Sequence, residues 1–145
     1  MFLPIGDTPN PENFRPIVNW LLIGLNVAIY LLITLPLSQQ GVSPDDPVLA
    51  DYLRVLLGSG VTTSDLLASL EQLSSYDLYI FVHGYKPGAP QISDLFFSMF
   101  LHGGVLHLAG NMLFLWIFGD NIEHRLGRIT YLLVYLSTGA VATIS

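Results

Sequence analysis

The chain has 145 residues, of which 52% are hydrophobic and 11% charged, with a formal net charge of −6 and a mean hydropathy of +0.57. An ordinary soluble domain is about a quarter charged, so this composition excludes a soluble globular enzyme and a disordered tail. The absence of cysteine excludes a disulfide scaffold, and the acidic balance offers no basic footprint for nucleic acid.

Residues 1–16 read as a Pro-rich cytoplasmic lead-in, with Pro4, Pro9, Pro11 and Pro16. Pro16 stands at a helix start, where its missing N–H is harmless. No basic region precedes the apolar run that follows, and no small-x-small exit ends it, so a cleaved signal peptide is not expected. Residues 17–37 form a charge-free run of 21 residues, long enough to cross the ~30 Å hydrocarbon core as a first span. Trp20 suits one interface, and Pro36 is expected to close the helix.

Residues 38–94 hold 7 of the 11 acidic residues, with Arg54 and Lys86 as the basic ones. Helical spacing over Val48–Leu57 and Asp65–Leu73 predicts short amphipathic helices, the second capped by Thr62 or Ser64. Tyr76–Val82 is an aromatic, mildly apolar patch, and His83–Gly88 reads as turn chemistry. The expectation is an extracytoplasmic loop with helices lying at the interface; a soluble minidomain with little core is the plainer alternative.

Residues 95–119 are a second charge-free run of 25 residues, expected to be entered through a non-helical stretch at His102, Gly103 and Gly104. A polar cytoplasmic loop is predicted over 120–128, and a third apolar run over 129–145. Those 17 residues reach only about 26 Å, short of the core thickness. The third span is therefore expected to be incomplete and the chain to be the N-terminal portion of a larger protein. Arg15 before the first span, and Arg125 and Arg128 after the second, place the N-terminus and the 120–128 loop in the cytoplasm.

The second run carries His102, His107 and Asn111. Polar groups at membrane depth face a protein interior or a water-filled cavity. His107 and Asn111, four apart, share one helix face, and two N–H donors there suit a developing oxyanion. His102 points elsewhere on a continuous helix, unless the glycine pair breaks it. The plainer alternatives are a packing histidine and an asparagine acting as interhelical glue worth ~0.6–2 kcal/mol. A metal or haem site suits the pattern poorly. The five-residue step from His102 to His107 does not chelate on one helix, and His83 and His124 fall on opposite sides of the membrane. No metal is expected.

The stretch Ser98–Met112, with His102, His107 and Asn111, closely resembles the second transmembrane segment of rhomboid intramembrane serine proteases. The resemblance continues through Leu113–Gly127, whose Gly119, Glu123, Arg125 and Gly127 look like the family's Gly-x-x-x-Glu-x-Arg-x-Gly exit. It implies an all-α membrane protein, a polytopic bundle of transmembrane helices of rhomboid type truncated within span three. It further implies a serine endopeptidase that cleaves transmembrane protein substrates within the lipid bilayer and needs no cofactor. His107 and Asn111 would be the oxyanion donors, and His102 would hold the polar network beside them. Glu123 and Arg125 would be structural, packing the cytoplasmic loop, although a solvated charge pair is their plain reading.

The family's catalytic Ser, in Gly-x-Ser-Gly on a fourth span, and its His base on a sixth are absent from these residues. Ser59, between Gly58 and Gly60, lacks the preceding glycine at the right spacing, and Ser137 lies outside any such motif. The 145 residues alone are accordingly expected to be inactive. Ser93 and Asp94 stand where many family members carry a Trp-Arg pair. A non-catalytic rhomboid-like protein that binds client transmembrane helices is the alternative reading.

Overall fold

The computed structural model describes residues 13–144, so the prolines at 4, 9 and 11 of the lead-in and Ser145 lie outside the described residues. Helix α1, Ile17–Ser38, runs 22 residues with a mean hydropathy of 2.1 and follows directly on Pro16. It widens into one π turn at Tyr30–Thr34. Pro36 lies just beyond that turn and cannot donate to a carbonyl four residues back. The helix continues to Ser38, so Pro36 does not close it.

Four short helices follow. Helix α2, Pro47–Gly58, starts on Asp46, whose Oδ1 accepts from the Val48 N–H at 2.9 Å. Helix α3, Thr63–Glu71, is capped by Thr62 Oγ1, which accepts from the Asp65 N–H at 3.3 Å. Helix α4, Ser75–His83, opens on a reciprocal box. Ser74 Oγ accepts from the Asp77 N–H at 3.4 Å, and Asp77 Oδ2 accepts from the Ser74 N–H at 2.8 Å. Such a box satisfies two orphan donors at once, which is why the aromatic patch at 76–82 is helical. Helix α5 spans Ile92–Ser98.

Helix α6, Val105–Leu126, is the second helix long and apolar enough to cross a membrane, and it carries a π turn at Leu115–Gly119. Two sequence expectations are corrected here. Residues 95–98 belong to α5, and a break at 99–104 separates them from α6. Residues 120–126 are helical rather than a loop, because Glu123 is buried under the start of α1 instead of facing water. Gly127 ends α6 at φ 78° and ψ 160°, a conformation essentially confined to glycine. Helix α7, Arg128–Ile144, then returns.

The three long helices meet in a polar joint. Glu123 is fully buried; its Oε2 accepts from the Asn19 N–H at 2.8 Å and its Oε1 from the Val18 N–H at 3.2 Å. The carboxylate thus caps α1 from another helix and complements its dipole. Its ion pair runs to Arg128, Nε to Oε1 at 3.7 Å, while Arg125 is exposed in the last turn of α6. The plain reading of Glu123 and Arg125 as a solvated pair is therefore corrected. Asn19 Nδ2 donates to the Leu115 carbonyl in the π turn at 3.0 Å, and Asn19 Oδ1 accepts from the Tyr131 hydroxyl at 2.8 Å. Lipid supplies no hydrophobic drive between helices, so close packing and polar contacts hold them. Gly119 permits the approach: a Cβ there would collide with Asn19 and the Tyr131 hydroxyl.

Candidate functional site

The break before α6 sets the geometry of the site. Gly104 is the N-cap of α6 with φ 175° and ψ 166°, ordinary extended backbone, and a Cβ at Gly103 or Gly104 meets nothing within 4 Å. A break does lie at the glycine pair, and it needs no left-handed glycine. It does free His102 from the helix, as neither a continuous α6 nor its five-residue step to His107 would.

His102 is buried, at 3% exposure, beneath the start of α6. Its Nδ1 lies 3.1 Å from the Phe100 carbonyl. A carbonyl only accepts, so Nδ1 carries the proton and Nε2 is left as the acceptor. The ring stands edge-on to that of His107, with centroids 5.3 Å apart. His107 lies in the first turn of α6 and Asn111 one turn further on; both are exposed.

All three side chains line one cleft of about 630 Å³. Its opposite wall is α7, through Tyr135, Thr138 and Gly139, and Asn26 of α1 and Ser98 of α5 complete it. Gly139 lies against the Met99 side chain, whose flexible end would have to shift to admit a Cβ there. The structure thus brings His102, His107 and Asn111 together. It keeps Glu123 and Arg125 apart from them, at the far end of α6. The other two histidines pack elsewhere, His83 against Tyr79 and Phe97, and His124 against Phe14.

Asn26 and Tyr135, which line the cleft, escaped the sequence reading. Asn26 is fully buried; its Nδ2 donates to the Leu22 carbonyl at 2.7 Å and to the Tyr135 hydroxyl at 3.2 Å. Its Oδ1 has no hydrogen-bond partner among the described residues. The available signal was the seven-residue spacing of Asn19 and Asn26, which puts two amides on one face of an otherwise apolar helix. The segment between the two long helices also reaches the site. The Tyr76 hydroxyl donates to the His102 carbonyl at 3.2 Å, and burial pushes its pKa up, keeping it a donor.

Chemically, the cleft offers an imidazole and a carboxamide one helical turn apart, with a second imidazole behind the first. Both can donate to an oxygen that gains charge in the cleft.

Residues 89–145 match the family model described as Rhomboid domain. The mitochondrial presenilin-associated rhomboid-like protein of Bos taurus is 39% identical over 51 residues, which are 35% of this chain and 14% of that protein. Rhomboid-type serine protease 2 of Emericella nidulans is 35% identical over 83 residues, 54% of this chain and 16% of that protein. The mitochondrial presenilin-associated rhomboid-like protein A of Danio rerio is 44% identical over 46 residues, covering 32% of this chain and 12% of that protein. The chain thus spans only a small part of the length of these relatives. No solved structure matches it.

Proposed function

We propose that this chain, whose residues 89–145 match the Rhomboid domain model, belongs to the rhomboid family of helical membrane proteins and contributes the oxyanion-binding helix of an intramembrane serine endopeptidase. The substrates are transmembrane proteins, cleaved near the outer face of the bilayer. His107 and Asn111 donate to the tetrahedral oxyanion, and His102 holds His107 from behind. The nucleophilic Ser and its His base are assigned to polypeptide outside these 145 residues. The N-terminus faces the cytoplasm, and residues 38–94 face outward.

The observation that carries this reading is the placement of His107 and Asn111 one turn apart on a cleft of about 630 Å³, with the His102 ring 5.3 Å from that of His107. Both side chains line the cleft beside the His102 ring, within reach of one bound oxygen. The similarity to a rhomboid-type serine protease adds support.

The test is cleavage of a model transmembrane substrate by the full-length protein in liposomes. Asn111→Ala should slow cleavage by ~10²–10³, the usual loss for one oxyanion donor, with membrane insertion unchanged. Full activity in that variant would overturn the assignment. Capture of the substrate helix without cleavage by the unaltered protein would favour a client-binding role instead.

A further inference from the structure

Helix α4 lies in the acidic outer segment, yet it is tied to both spanning helices. At its start the Ser75 N–H donates to the Gln40 carbonyl at 2.8 Å, beside the bridge between Gly41 and Ser74. These contacts fix α4 to the outer end of α1. One residue on, Tyr76 is 6% exposed, and its hydroxyl spans 26 positions of sequence to the His102 carbonyl. A second tie holds the other side of the break: the Tyr85 N–H donates to Ser98 Oγ at 2.8 Å, and that hydroxyl donates to the Asp94 carbonyl at 2.7 Å.

Between these ties the chain turns on two backbone bonds, from the Phe100 N–H to the Phe97 carbonyl at 3.0 Å and from the Leu101 N–H to the Ser98 carbonyl at 3.3 Å, and the Phe100 ring packs near Tyr135. Gly103 and Gly104 present no side chain, and a Cβ on either would meet nothing within 4 Å. His102 therefore leaves the break with its carbonyl held by Tyr76 and its ring held by the Phe100 carbonyl. The imidazole so held stands edge-on to the His107 ring, with centroids 5.3 Å apart.

We propose that Tyr76 is a positioning residue for the site. Its hydroxyl holds the His102 carbonyl, which sets the His102 ring against His107 and so aims His107 into the cleft. This rests on the reading of His107 as an oxyanion donor. The outer segment then acts as a brace, holding the His102 carbonyl through one buried hydroxyl. Because an oxyanion donor acts in the transition state, a lost brace lowers turnover more than substrate binding.

The experiment compares Tyr76→Phe and Ser75→Ala with the unaltered full-length protein in liposomes. Tyr76→Phe keeps the ring in its buried place and removes only the hydroxyl. It should lower kcat about tenfold or more, since misplacement by ~1 Å can reach 10²-fold, with KM changed by no more than about twofold. Ser75→Ala removes a bond from the same helix to the Gly41 carbonyl and should leave kcat unchanged. Equal losses in the two variants, or an unchanged kcat in Tyr76→Phe, would overturn the proposal.

A readout independent of cleavage is the NMR signal of the Gly103 and Gly104 amides. Tyr76→Phe should shift both and speed their hydrogen exchange; unchanged signals overturn the brace. In the unaltered protein the Tyr76 hydroxyl proton should exchange slowly, and a freely exchanging hydroxyl overturns the proposal without any variant. Loss of the effect of Asn111→Ala would sink the reading of the site, while the amide signals would still decide the brace.

Discussion

The carboxylate of Glu123 closes the first turn of the helix that begins at Ile17, accepting from the Asn19 N–H at 2.8 Å across 104 positions of sequence. Helix starts commonly draw their caps from the residue just before them. Here that residue is Pro16, which has no side-chain acceptor, and the cap is supplied by another spanning helix.

Glu123→Ala should therefore destabilise the bundle by about 3 kcal/mol, because it strands one buried and one half-buried backbone donor that bond a charged group. It also removes the carboxylate paired with Arg128, whose guanidinium keeps only its bond to the Arg15 carbonyl among the described contacts. Glu123→Gln keeps one acceptor oxygen and should lose less. Reversible unfolding in bicelles would measure both. Equal stability of Glu123→Ala and the unaltered protein would show that the cap contributes nothing.

The two glycines of α6 at 110 and 119 should respond oppositely to alanine. A Cβ at Gly119 would collide with Asn19 and Tyr131, whereas one at Gly110 meets nothing within 4 Å. Gly119→Ala forces α1 and α7 apart and should lose about 1–3 kcal/mol, as overpacking does. Gly110→Ala should be neutral or slightly stabilising through helix propensity. The same unfolding assay reads both variants, and a loss at position 110 matching that at 119 would contradict the packing described.

The long apolar helices are legible in the sequence because a run without charge, 20 or so residues long, has few other stable forms in lipid. The ends were harder to read. Asp120, Glu123 and Arg125 suggested a loop by their charge, yet Glu123 is buried because another helix start needs an acceptor, a fact no local window contains. Helix α4 was missed because Tyr76–Val82 lacks apolar periodicity; the spacing of Ser74 and Asp77 was the legible sign. In the site, His102, His107 and Asn111 stand out as polar residues in an apolar run. Asn26, Tyr76 and Tyr135 join them from other elements, and only the packing of those elements reveals them.

Asn19 and Asn26 test whether a buried amide in this bundle is worth its desolvation. Both are buried, at 2% and 0% exposure, and both sit on the inner face of α1. Asn19 is used at both ends, Nδ2 to the Leu115 carbonyl and Oδ1 from the Tyr131 hydroxyl. Asn26 is used at one end, since its Oδ1 has no partner among the described residues. Its Nδ2 reaches the Leu22 carbonyl within its own helix and one hydroxyl on another. Asn19→Leu should then lose about 2 kcal/mol, because it leaves a buried hydroxyl at Tyr131 unpaired. Asn26→Leu should lose less than about 1 kcal/mol, since removing an unsatisfied carbonyl oxygen offsets one interhelical bond of ~0.6 kcal/mol. Unfolding of the two variants in bicelles decides between them. A larger loss at Asn26 than at Asn19 would mean that the Asn26 amide is satisfied by a group lying in the cleft.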